Sequence, residues 1–105
     1  MIIEIAGKHL EITPSLREYA EEKLGSLGKF VEKYDASGGV ELKVSLGRVS
    51  AHHHKGEVYE AVADLILPKQ VLRAEEYSED AHAAIDIVRE KLSREIETYK
   101  AKHDE

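Results

Sequence analysis

The apolar residues of this chain switch between two periods, and the order of the switches restricts the fold more than any single motif does. "VELKVSLGR" alternates strictly, with Val40, Leu42, Val44 and Leu46 on one side and Glu41, Lys43 and Ser45 on the other. That is the two-residue repeat of a strand with one buried and one wet face. "EVYEAVADLILP" repeats it with Tyr59, Ala61, Ala63, Leu65 and Leu67 until Pro68 ends the run, and "VLRAEEY" adds a shorter strand with Leu72 and Ala74 inward. An earlier alternating segment, "IIEIAGK", stops at Gly7 and reads as the first strand.

Two segments follow the helical period instead. In "EITPSLREYAEEKLGSLGKFVEKY", Thr13 is a cap and Pro14 occupies the first helical position, where its missing N–H has no intrahelical partner anyway. Leu16, Ala20, Leu24, Leu27, Val31 and Tyr34 then recur at steps of three and four, which makes one apolar stripe. The spacing predicts a helix to about residue 34, with Gly25 and Gly28 as a weak point and "DASGG" as its end. Ser78 reads as the cap of a last helix, with Glu79 and Asp80 favourable in its first turn. Ala81, Ile85, Val88, Leu92, Ile96 and Tyr99 form that helix's stripe.

The order is therefore β-α-β-β-β-α, an α+β chain. A meander of three strands joins a first strand through a helical crossover, which should be right-handed. One stripe per helix and one apolar face per strand predict a four-stranded mixed sheet with both helices on one face. At 105 residues the chain suits a single domain, residues 1–105, with no internal repeat.

Composition narrows the function. The absence of cysteine excludes disulfides, thiolate zinc sites and a cysteine nucleophile, and it suits a reducing compartment. "MIIEIAGKH" has neither the basic start nor the apolar core of a signal peptide, and no segment approaches a membrane span, so a soluble cytoplasmic protein is expected. No nucleophile elbow, phosphate-binding loop, dinucleotide fingerprint or zinc-protease motif is present, so no enzyme, cofactor or small-molecule substrate is expected.

The formal charge of −6 argues against a polyanion partner only until its distribution is read. Residues 57–80 hold seven acids (Glu57, Glu60, Asp64, Glu75, Glu76, Glu79, Asp80) against Lys69 and Arg73. The last helix holds Arg89, Lys91, Arg94, Lys100 and Lys102 against four acids. Advancing roughly 100° per residue places Lys23 inside the first helix's apolar arc and Lys29 on its exposed side. Arg89 and Lys100 border one edge of the last stripe, Lys91 and Lys102 the other, and Arg94 is more exposed. The groove between the helices is then the expected meeting point of these bases, a cradle for phosphates that needs no overall positive charge. The alternative for each base is a long stem covering apolar surface with its head in water.

These residues also carry a family resemblance. "GKHLEITPSLREYAEEKLGSLGKF", "GEVYEAVADLILPKQVLRAEE" and "EDAHAAIDIVREKLSREIETYKAK" resemble the ribosome hibernation-promoting factor and ribosome-associated translation inhibitor family over nearly the whole chain. The resemblance implies a fold related to double-stranded RNA-binding domains. It also implies binding in the decoding channel of the small ribosomal subunit, over tRNA and mRNA positions, so that ribosomes stay idle under stress. By matching position, the bases that would grip ribosomal RNA are Lys23, Lys29, Arg89, Lys91, Arg94 and Lys100. His82 stands where members commonly have Tyr, and Glu95 and Glu97 interrupt the basic run, which implies weaker or more salt-sensitive binding. The chain resembles a short form, without the C-terminal domain that long members use to pair ribosomes, so pairing would need another factor.

Two other classes remain open at the level of residues: a free double-stranded RNA-binding module, and a small metal-binding protein built on His52, His53 and His54. The histidines argue against the second. In an extended segment only His52 and His54 share a side, fewer than the three or four protein ligands of a zinc site, so no metal is expected. They read as the tip of a hairpin between the second and third strands.

Overall fold

The structure is a computed structural model, described for residues 1–36, 39–49 and 58–103. Four strands, β1 (Ile2–Lys8), β2 (Glu41–Val49), β3 (Val58–Ile66) and β4 (Val71–Ser78), form one sheet in the order β1-β2-β3-β4. β1 runs parallel to β2, and the other two pairings are antiparallel. The register aligns the apolar sides across the sheet: Ile3 pairs with Leu42, Leu42 with Leu65, and Leu65 with Leu72. One row further, Ile5, Val44, Ala63 and Ala74 stand side by side. A shift of one residue would turn any of these strands inside out, so the alternation and the pairing specify each other.

The helical layer covers that face. The long helix α3 (Ala81–His103) buries Ala84, Ile85, Val88, Leu92, Ile96 and Tyr99. The helix α1 (Pro14–Gly25) buries Leu16, Ala20 and Leu24. Strand and helix residues belong to a single core with no buried polar or charged residue among the described residues. The alanines at Ala61, Ala63 and Ala74 leave room for α3 over the middle of the sheet, and Ala20 and Ala84 are short residues at fully buried helix positions.

Two local expectations differ from the structure. The first helix does not continue to residue 34. It gives way to a 3₁₀ turn (Ser26–Phe30) and then to a four-residue helix, α2 (Glu32–Asp35). Thr13 caps the start as expected, its Oγ1 accepting from the Leu16 N–H at 3.2 Å. The change of winding follows the stripe itself. Leu16, Ala20 and Leu24 are four apart, whereas Leu24, Leu27 and Phe30 are three apart, and three residues per turn is the 3₁₀ repeat. Tightening the winding keeps Leu27 and Val31 in the core, where neither is exposed. Val31, at φ −123° and ψ 14°, marks the break before α2.

The second difference is the cap of α3. Asp80 fills that role: its Oδ1 accepts from the His82 N–H at 2.9 Å and its carbonyl from the Ala84 N–H at 3.1 Å. The Ser78 hydroxyl instead accepts from the Asp80 N–H at 3.1 Å, bracing the cap residue. No helix among the described residues is long and apolar enough to cross a membrane. His52, His53 and His54, with the hairpin tip expected there, lie outside the described residues.

Candidate nucleic-acid interface

α3 lies over the β3 and β4 side of the sheet with α1 along its other flank, so its two edges face different neighbours. Toward α1 there is an open cleft of ≈ 500 Å³ lined by Glu22, Lys23, Ser26, Asp86, Arg89 and Glu90. Lys23 and Arg89 meet here, as the spacing of the two stripes implied. Lys23 Nζ stands 3.9 Å from Asp86 Oδ1 and 5.7 Å from the centre of the Tyr19 ring. The Arg89 guanidinium donates to Ser26 Oγ at 3.1 Å and to Glu90 Oε1 at 2.8 Å. The Ser26 hydroxyl in turn donates to the Lys23 carbonyl at 2.6 Å, so the 3₁₀ turn supplies the seat for Arg89.

The expectation that the inter-helix groove collects every base is corrected by the structure. Lys91 and Arg94 line a separate cleft of ≈ 340 Å³ with Arg73, Ala74, Glu75 and Glu95, on the β4 side of α3. The reason is geometric: only one flank of a helix can face α1, and the other falls toward the sheet edge. Lys91 donates to the Glu75 carbonyl at 3.0 Å and pairs with Glu76 Oε2 at 3.0 Å, which clasps α3 to β4. That ammonium, together with the Tyr77 N–H, holds the Glu76 carboxyl below its ordinary range. Lys102 lies further along the same flank with Gln70, Leu72, Glu95, Thr98 and Tyr99.

The six bases therefore fall into two groups. Lys23, Arg89 and Lys91 are each paired with a carboxylate. Lys29, Arg94 and Lys100 make no ion pair among the described residues. Lys29 sits in the 3₁₀ turn with its ammonium 5.1 Å from the centre of the Phe30 ring.

Sequence reasoning missed the groups that hold these bases. Asp86 is joined to α1 by the Tyr19 hydroxyl, which donates to Oδ1 at 2.6 Å. That bond, reinforced by burial and by the Asp86 charge, pushes the Tyr19 phenol up to about 12. His82 stacks edge-on against the same ring at 4.4 Å, in the position where the resemblance led us to expect Tyr. One signal in the sequence pointed to Asp86: it stands three residues before Arg89 on the same helix flank. Glu95 also differs from a plain interruption of the basic run. Its Oε2 is buried with no hydrogen-bond partner among the described residues, and desolvation raises its carboxyl pKa.

An open mixed sheet with its long helices on one face and basic side chains along them defines an α+β class that solved structures share. The N-terminal domain of Thermus thermophilus Protein Y superposes with a TM-score of 0.75 at 29% identity, covering 94% of this chain and 99% of that one. A ribosomal subunit interface protein from Coxiella burnetii gives the same TM-score of 0.75 at 22% identity, covering 96% of this chain and 99% of that one. The chain belongs to the Sigma 54 modulation protein / S30EA ribosomal protein family, whose model matches residues 3–104. Curated relatives include ribosome hibernation promotion factors of Lactococcus lactis, 35% identical over 93% of this chain, and of Bacillus subtilis, 33% identical over 97%. This chain spans about half the length of those relatives, 49% and 50% respectively.

Proposed function

We propose that this chain is a ribosome-binding domain that settles on small-subunit ribosomal RNA in the decoding channel, overlaps tRNA and mRNA positions and keeps ribosomes inactive. It acts by occupancy and not by chemistry. The observation that carries the reading is the set of helix-layer bases without a carboxylate partner among the described residues, Lys29, Arg94 and Lys100. Each can neutralise a phosphate without first breaking an ion pair, and phosphate neutralisation supplies most of the affinity of such a surface. Lys23 and Arg89 line the cleft between the helices, each beside a carboxylate, Asp86 and Glu90, and like Lys91 at Glu76 they must leave that partner before they contribute. The kinship with ribosome hibernation promotion factors supports a ribosomal partner for this surface.

The test is co-sedimentation with purified bacterial small ribosomal subunits. The wild-type chain should pellet with them at low salt and be released as salt rises. A Lys29→Glu/Arg94→Glu/Lys100→Glu variant, with an unchanged circular dichroism spectrum, should stay in the supernatant. Retained binding would show that the helix layer is the wrong surface. Equal affinity for a plain RNA duplex would transfer the role to a free RNA-binding module.

A further inference from the structure

The cleft between α1 and α3 holds its own anion. Asp86 projects from α3 against Lys23 of α1, and one oxygen, Oδ1, faces both the Lys23 ammonium at 3.9 Å and the Tyr19 hydroxyl at 2.6 Å. The hydroxyl bond fixes which way the carboxylate points, while the lysine stands beyond hydrogen-bonding distance. Both members of the ion pair are about half exposed, Lys23 at 47% and Asp86 at 48%, so their attraction is weak and easily broken. A carboxylate oxygen and a phosphate oxygen present the same charge-assisted acceptor to an ammonium. Around them, Glu22 and Glu90 add two acids to the cleft, against Arg89 as its only other base among the described lining residues.

We propose that Asp86 is an internal competitor for the phosphate site on Lys23, held in place by Tyr19, and that it sets how tightly and how salt-sensitively the α1–α3 cleft takes an RNA backbone. This rests on the reading that the helix layer binds ribosomal RNA. A phosphate approaching Lys23 must displace the carboxylate, and because Tyr19 keeps that carboxylate nearby, its charge continues to repel the phosphate. Lys23 is thus a conditional contact, whereas Lys29, Arg94 and Lys100 need no such displacement.

The experiment measures the affinity of the full chain for purified bacterial small ribosomal subunits across a salt series, for wild type, Asp86→Asn, Tyr19→Phe and Lys23→Gln/Asp86→Asn. Asparagine keeps an oxygen for the Tyr19 hydroxyl but removes the charge. Asp86→Asn should therefore bind roughly 3- to 10-fold tighter at low salt. Its log–log salt slope should steepen by up to about one unit, because the whole Lys23 charge is then available to phosphate. Tyr19→Phe keeps the charge but frees the carboxylate to swing away from Lys23, so it should tighten binding by less than Asp86→Asn does, and the gain should vanish in Lys23→Gln/Asp86→Asn. An Asp86→Asn chain that binds with wild-type affinity and slope overturns the proposal, as does an equal gain in Tyr19→Phe or a gain that survives loss of Lys23. The Lys29→Glu/Arg94→Glu/Lys100→Glu variant separates this from the broader reading. If that variant still binds, the surface is wrong; if it fails to bind while Asp86→Asn is neutral, only the competitor role is lost.

Discussion

Tyr19 of α1 donates its hydroxyl hydrogen to Asp86 Oδ1 of α3 at 2.6 Å, across 67 residues of sequence, and this bond joins the two helices beside the cleft. Tyr19→Phe should cost about 1–2 kcal/mol of stability at neutral pH, read from denaturant midpoints. The phenol's value rises from 10.0 to about 12 on folding, chiefly through this bond and then through burial. A raised value means that the stabilisation is complete below the unfolded value and is lost as pH climbs through the folded one. Wild-type stability should therefore decline between pH 10.0 and about 12, and Tyr19→Phe should decline less steeply, with Tyr77 as a second phenol raised on folding.

Among the described glycines, Gly7 meets the nearest obstacle to a side chain. A Cβ built there would stand 2.1 Å from the Leu10 carbonyl oxygen, because the chain leaves β1 through His9 at φ 56° and folds back over the strand. The opposing atom belongs to the backbone and cannot swing aside. Gly7→Ala should destabilise the fold by about 2–4 kcal/mol in urea unfolding. His9→Gly should stay within about 1 kcal/mol of wild type, since glycine accepts a positive φ without steric cost.

The Lys91–Glu76 clasp predicts an acid dependence. Glu76 has a lowered value, first because of Lys91 and then because of the Tyr77 N–H. A lowered carboxylate stabilises above its unfolded value of 4.5, and that contribution disappears as pH falls through the lower folded value. Glu76→Gln should flatten stability against pH below 4.5, while leaving the melting curve cooperative. If the acid limbs of wild type and variant coincide, Lys91 does not act as a clasp.

Glu95 works in the opposite direction. Its carboxyl is raised by desolvation and one oxygen has no partner among the described residues, so the ionised form is held at a cost. Glu95→Gln should raise the thermal midpoint at neutral pH. The gain should shrink as pH falls into the carboxylate range, where wild-type Glu95 takes up its proton. A variant that melts lower than wild type at neutral pH would contradict this account.

The sheet was legible because alternation and burial are the same fact seen twice. Val40, Leu42, Val44 and Leu46 pointed inward on the page, and all four are buried in the fold. The end of α1 was harder to read because a stripe with steps of three and four satisfies both an α-helix and a 3₁₀ turn. Only the change from Leu16–Ala20–Leu24 to Leu24–Leu27–Phe30 betrays the tighter winding. At the start of α3, Ser78 and Asp80 are both good caps, and the strand's extension through Ser78 leaves the role to Asp80. The bases could be assigned to helix edges, but their partners could not. Asp86 lies 63 residues from Lys23, and Glu76 reaches Lys91 from a strand, so the pairing exists only after folding.

In the proposed complex the helix layer, and not the outer face of the sheet, lies against small-subunit ribosomal RNA. The chain has no cysteine, so one can be placed at will and loaded with an iron chelate that cleaves nearby RNA by hydroxyl radicals. Glu97 is exposed on α3, and Lys43 is exposed on the opposite face of the sheet. The account predicts strong cleavage of decoding-region RNA from Glu97→Cys and little from Lys43→Cys. Strong cleavage from Lys43→Cys with none from Glu97→Cys would contradict it.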